Sequence, residues 1–310
     1  MKRIDKSVYR EDFNTYSRDY LRMSYNEDDC KFIPRLADEV AYYNGFSSRQ
    51  YRRTAHPADS RFHGWLDILL EETENRCCYC MRHLSGNDIS VEHLVPENFG
   101  SGKDALDEQE EYDYYAGVSA DIHNNVELGS VFDANAQANA GRIDDIARFP
   151  HLIAHSNLFP ACKNDIPGCS CNNFRGNKRV LPLMLMDDVE TFVDYTEEGK
   201  MELLFEDIDM VQKTLEALDI NTNELKLIRK LWYKFSRMQI RLDENTELTS
   251  ERVNGWLRDV LHLGETDVIP LEYQDFAKEE ADGSLRKFKL FLQYYWFYDY
   301  YLNKYPIVNP

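Results

Sequence analysis

Six of the seven cysteines fall in two tight groups, Cys77, Cys78 and Cys80 in one and Cys162, Cys169 and Cys171 in the other. No other feature constrains the fold as strongly, because anything that joins the groups must bring two distant segments together. Cys77-Cys78-Tyr79-Cys80 is a C-x2-C knuckle, which sets two thiolates on one side of a tight turn at the spacing tetrahedral zinc requires. Cys162 and Cys171 supply the other two ligands of a structural zinc site. Cys169 stands as the alternative to Cys171, since the C-x8-C spacing is longer than the usual short one. Cys30 and Cys78 read as packing residues, and the bland account of the whole set is small buried hydrophobes.

The compartment bears on that choice. The start, MKRIDKSVYREDF, has no apolar core behind its charges and so does not read as a signal peptide. No apolar run approaches the roughly 18 residues that span a bilayer. The expected location is cytoplasmic, where thiols stay reduced and grouped cysteines read as metal ligands before disulfides.

Charge narrows the function classes. The 310 residues carry 55 acids and 36 bases, a formal net charge of -19. A chain that coats nucleic acid over a whole face is normally basic, so nucleic-acid contact here must be local or assisted by a partner. The acidity is concentrated. Residues 101–160 hold 11 acids against 3 bases, and residues 187–220 hold 12 against 2. Between these blocks, residues 156–180 hold Lys163, Arg175, Lys178 and Arg179 against Asp165 alone. Arg49, Arg52, Arg53 and Arg61 form a second small basic group, read as a solvated helix face.

Three sections follow from the patterning: 1–75, helical; 76–182, a small core with a long insert at about 100–150; and 183–310, acidic and then helical and aromatic-rich. Ser85-Gly86-Asn87-Asp88 is turn chemistry, and Ile89, Val91 and Leu94 predict a short strand after it. Ser156 to Phe159 predicts a second strand, and Asn172 to Lys178 a helix. Leu225, Ile228, Leu231, Trp232, Phe235 and Met238 recur at helical spacing. Leu248–Leu261 and Ser284–Asn303 are further helices. The last carries nine aromatics from Phe288 to Tyr301, which read as core before contact surface, but are more than one core-facing stripe needs and so leave a partner surface open.

Between the cysteine groups lie Glu92-His93 and Pro96, then Asn157-Leu158 before Cys162, then Cys171-Asn172-Asn173 leading to Lys178. In this order the pieces resemble the HNH, or ββα-metal, nucleases. The match covers residues 77–99 and 155–180. The resemblance implies a fold that is mainly α with a small α+β core, a ββα-metal motif stapled by zinc and flanked by helical sections. It implies a metal-dependent endonuclease that hydrolyses DNA phosphodiesters. In that reading His93 takes a proton from water, and Glu92 and Asn172 (or Asn173) hold a catalytic Mg²⁺ or Mn²⁺. Asn157 fixes the His93 imidazole, and Lys178 and Arg175 hold scissile phosphates. Strand alternation points Glu92 and His93 to opposite faces, so a single site using both needs a bent or bulged strand end.

The start Met1 to Ser7, the helix ending in Cys-Cys-Tyr-Cys and Glu-His on the first strand are similar to a bacterial subgroup, the PtuB-like nuclease subunits of Septu and retron anti-phage systems. These work beside an ABC-like ATPase, PtuA, so the resemblance implies a hetero-oligomer with such a partner. The insert, the extra residues between Cys162 and Cys171 and the aromatic C-terminal section depart from that subgroup. The competing class is a zinc-stapled nucleic-acid- or protein-binding subunit with no nuclease activity of its own.

Overall fold

The computed structural model describes residues 1–24, 43–48, 52, 53, 61–94, 96, 151–153, 155–163, 171–204, 208–242 and 245–307. The described chain is mainly helical with two small two-stranded sheets. None of its helices is long and apolar enough to cross a membrane. The insert at about 100–150, Cys30 and Cys169 lie outside the described residues.

In the N-terminal section, α1 (Arg10–Ser24) packs on α2 (Trp65–Glu72). Trp65, Leu66, Ile68 and Leu69 are buried on α2, the stripe its sequence places on one face. Trp65 stacks on Phe46 at 4.9 Å and donates its indole N–H to the Phe46 carbonyl at 2.9 Å. Phe13 meets both rings edge-on at 5.9 and 5.8 Å.

The central section holds β1 (Ile89–His93) and β2 (Leu158–Cys162), which pair antiparallel from Ile89↔Cys162 to His93↔Leu158. The second strand begins later than the sequence pattern predicts, and His155–Asn157 is a 3-10 turn leading into it. The shift puts Cys162 inside the strand. Pro160, which has no N–H to donate, sits in the strand and uses its carbonyl to accept from Cys78 N at 3.0 Å. α3 (Cys171–Arg175) follows, shorter than expected. Gly176 stops it at a positive φ of 52°, the usual left-handed helix ending.

The C-terminal section opens with a hairpin the acidic composition concealed, β3 (Val193–Tyr195) and β4 (Met201–Leu203). Its turn needs Gly199, at φ 77°, where a Cβ would stand 2.0 Å from the Lys226 carbonyl. Then come α4 (Ile208–Leu218), α5 (Asn223–Arg237), α6 (Ser250–Leu261), α7 (Arg286–Leu292) and α8 (Trp296–Lys304). Thr222 caps α5 by accepting from Leu225 N, and Thr249 caps α6 by accepting from Arg252 N.

Ser284–Asn303 is thus two helices, not one. Tyr294, Tyr295, Phe297 and Tyr298 each donate to a carbonyl three residues back, which tightens the backbone between α7 and α8. The nine aromatics also turn inward. Phe288, Phe291, Tyr294, Phe297, Tyr298 and Tyr301 are buried, and Tyr295, Trp296 and Tyr300 pack against the core half-buried. Trp232 of α5 explains how so many rings find cover: it stacks on Phe291 at 4.2 Å and donates to its carbonyl at 2.9 Å. The aromatic run is therefore core and not a spare interface. Buried side chains of all three sections form one continuous cluster.

Candidate functional site

Cys77, Cys80, Cys162 and Cys171 converge, with their sulfurs all within 4.8 Å of one another, and all four are buried. Cys80 Sγ and Cys162 Sγ are 3.8 Å apart. A tetrahedral zinc with bonds of about 2.3 Å has sulfur–sulfur edges of about 3.8 Å, so the set fits that ion. Each ligand has a structural reason for its place. The knuckle is closed by Cys77 N donating to Arg82 O and Met81 N donating to Cys77 O, with Met81 left-handed at φ 63°. Cys162 ends β2, and Cys171 opens α3 with its N–H 3.5 Å from Cys162 Sγ. Among the described residues no other cluster of three or more histidine, cysteine or acidic donors has this form.

The thiols are uneven without the ion. Burial opposes ionisation of Cys77, but hydrogen bonds from Cys162 and Cys171 outweigh it and hold that thiol well below its ordinary range. Hydrogen bonding with Cys162, Cys77 and Cys80 pushes the Cys171 thiol up. Zinc needs all four as thiolates, so its uptake must release protons. A four-thiolate zinc carries two negative charges, and fully buried Arg82 lies where its charge meets Cys162 and Cys80. Its Nε donates to Gln293 Oε1 at 2.7 Å and its Nη2 to Asp88 Oδ2 at 2.6 Å. Tyr294 OH lies 3.8 Å from Cys80 Sγ, and His83 N donates to Gln293 O at 2.7 Å. The C-terminal section thus closes over the knuckle, an outer layer the cysteine spacing alone does not announce.

On β1, Glu92 and His93 part company. Glu92 is 1% exposed and pairs with the Arg175 guanidinium of α3, while Tyr79 OH donates to the same carboxylate oxygen at 3.0 Å. Burial pushes the Glu92 carboxyl up in spite of Arg175. Arg175 also donates to the carbonyls of His93 and Leu94. At 1% exposure Arg175 is a clamp between β1 and α3, and the phosphate contact expected of it is replaced by these buried acceptors.

His93 faces other partners. Its Nε2 lies 3.1 Å from the Leu152 carbonyl, and its ring meets Tyr43 edge-on at 4.5 Å. A carbonyl only accepts, so Nε2 is the donor in this contact. Leu152 O is thus an oxygen that orients the ring. Asn157 is fully buried, and its carbonyl accepts from Leu94 N at 3.0 Å, tying off the end of the strand pair. The pairing is regular through His93, with no bulge to bring the two side chains to one face.

Lys178 is exposed beyond α3, with its Nζ near the Phe174 carbonyl at 3.3 Å. The side chains of Asn172 and Asn173 lie outside the described residues. With Glu92 committed to Arg175, the described donors do not, as arranged, make a site for Mg²⁺ or Mn²⁺. A further buried set escaped the sequence. Lys6 Nζ is 2.7 Å from Glu72 Oε2 and donates to Leu158 O at 2.8 Å, and His155 Nε2 is 2.6 Å from Glu72 Oε1, poorly aligned for a hydrogen bond. No local motif joins residues 6, 72 and 155, so only the packing of α1, α2 and the 3-10 turn reveals it.

A scan against family models found no match for this chain, and searches of curated proteins and of solved structures found none either.

Proposed function

We propose that this protein is a metal-dependent endonuclease of the HNH type that hydrolyses DNA phosphodiesters. The observation that carries the reading is the place of His93 at the end of β1 in a strand–strand–helix unit, with its Nε2 3.1 Å from the Leu152 carbonyl; in this reading the imidazole takes a proton from the attacking water. Strand–strand–helix order beside a four-cysteine cluster supports it, as does the resemblance of residues 77–99 and 155–180. Exposed Lys178 is the candidate phosphate contact. The reading implies a divalent ion at Glu92 and Asn172, which requires Arg175 to release the Glu92 carboxylate it now pairs with.

The partner proposed from the resemblance is an ABC-like ATPase, in an anti-phage complex in the cytoplasm. With all nine aromatics in the core, its support is that resemblance and the net charge of -19, which disfavours unaided capture of DNA. The second reading, a zinc-stapled binding subunit without nuclease activity, is favoured by one observation: Glu92 is fully engaged by Arg175 and Tyr79. One experiment separates them. The purified protein, alone and with any co-purifying partner, is incubated with supercoiled plasmid and Mg²⁺ or Mn²⁺. Nicking that falls at least about 10²-fold in His93→Ala, with the melting temperature little changed, supports the nuclease. Equal nicking by wild type and variant removes His93 from the chemistry, and no nicking under either metal supports the binding subunit.

A further inference from the structure

Arg52 and Arg53 of one small basic group and Lys163 of the other, far apart in sequence, lie at the start of β1. Arg53 donates to the Gly86 carbonyl at 3.0 Å, and Arg52 reaches the Ile89 carbonyl at 3.4 Å. Lys163 follows Cys162, which pairs with Ile89, and its backbone N–H donates to Asp88 O at 2.9 Å. Arg53 and Lys163 are exposed and Arg52 is half-buried. The turn between them, Ser85 to Asp88, carries a single acid, and Arg82 already holds it.

Among the described residues none of the three cations is paired with a carboxylate, in a chain with 19 more acids than bases. Burial, and the Arg53 charge beside it, lower the Arg52 guanidinium from its ordinary value. Holding like charges together without an acid is unfavourable, and an anion bound there would relieve it. The arrangement is also built. Gly64 at the start of α2 lets the Arg52–Arg53 backbone approach so closely that a Cβ would stand 2.3 Å from Arg52 O and 2.6 Å from Arg53 N. The same N-terminal section flanks β1 at both ends, since Tyr43 touches His93 while Arg52 touches Ile89.

We propose that Arg52, Arg53 and Lys163 form a phosphate-binding patch that grips the backbone of double-stranded DNA on the far side of β1 from His93. The proposal rests on the nuclease reading for its substrate. Four strand residues at about 3.3 Å each set the patch about 13 Å from His93, close to four base pairs of rise at about 3.4 Å. The patch would therefore hold the duplex beside the scissile bond, not at it. Its recognition is of phosphate charge and carries no base preference.

The test measures binding apart from cleavage. Fluorescence anisotropy of a labelled duplex is followed over about 50 to 200 mM salt, in buffer without Mg²⁺ or Mn²⁺. The proteins compared are the full chain, Arg53→Glu/Lys163→Glu, and Lys213→Glu/Lys289→Glu with the same charge change elsewhere. The patch variant should lose at least about tenfold in affinity, and its salt slope should fall by about 1.8 for two lost phosphate contacts. The control should lose much less. Equal losses in both variants, an unchanged patch variant, or no duplex binding by wild type each overturn the patch. A loss confined to the patch variant upholds it whether or not plasmid is nicked, so failure of the nuclease reading is read separately, from the plasmid.

Discussion

The cysteine cluster and the Glu92–His93 step share one small sheet, yet they are completed in opposite ways. Four short side chains from a knuckle, a strand end and a helix start converge, with their sulfurs within 4.8 Å of one another. Glu92 and His93 are neighbours in sequence and are separated by the strand itself, one side chain bound to α3 and Tyr79, the other to Leu152 and Tyr43. Closeness in sequence therefore says little about shared chemistry on a strand, whereas distant residues with one coordination preference are drawn together by it.

The comparison breaks first at the cysteines. Cys80→Ser should yield insoluble or unfolded protein, and metal analysis of wild type should find about one zinc per chain, because structural zinc supplies folding energy directly. A folded, zinc-free Cys80→Ser protein would show that packing alone holds the cluster. The next effect is smaller and lies on the other side of the sheet. Arg175→Ala leaves the buried Glu92 carboxylate uncompensated and should cost about 3–5 kcal/mol, read by denaturant unfolding of the zinc-loaded protein. The double variant Arg175→Met/Glu92→Gln should recover much of that loss. If the single variant is as stable as wild type, the clamp between β1 and α3 is not real.

The smallest effect concerns the Lys6–Glu72–His155 set. Burial, and the nearby Lys6 charge, hold His155 below its ordinary value, and Lys6 and His155 hold Glu72 below its own despite burial. For both groups the unfolded chain binds protons more readily than the folded one, so acid favours unfolding. Stability should be full above the unfolded histidine value of about 6.5 and decline as pH falls below it. The carboxylate contributes a second decline below about 4.3. His155→Gln should remove the upper part of the decline, and a pH-stability curve unchanged by that substitution would show that His155 does not titrate with folding.

What the sequence made legible follows the same division. The C-x2-C knuckle and Cys162 were readable because a tetrahedral metal site dictates ligand type and spacing, and among the described residues Cys171 joins them as the fourth member. α5 and α6 were readable from periodicity and end near the expected residues. The hairpin of β3 and β4 was hidden in an acidic block, although Val193, Tyr195, Met201 and Leu203 alternate around Gly199 as a turn-linked pair should. The burial of Arg175 was not readable, because an exposed base and a base clamping a buried acid look alike in sequence. The aromatic run was readable as core before contact surface, but what covers it was not. Its partner, Trp232, lies on α5 far back in the chain, and only tertiary packing supplies the cover.

Arg82 and Gln293, hydrogen-bonded across the back of the cysteine knuckle, are 211 positions apart. At translation rates of about 5–20 residues per second, roughly 10–40 s separate their emergence from the ribosome. During that interval the knuckle thiols are present without the layer that later shields Cys80, and so they are open to metal delivery and also to oxidants. Closing so long a loop is itself slow to nucleate. The order of events is then set by chain geometry: the knuckle is made first, and the last aromatic turn covers it.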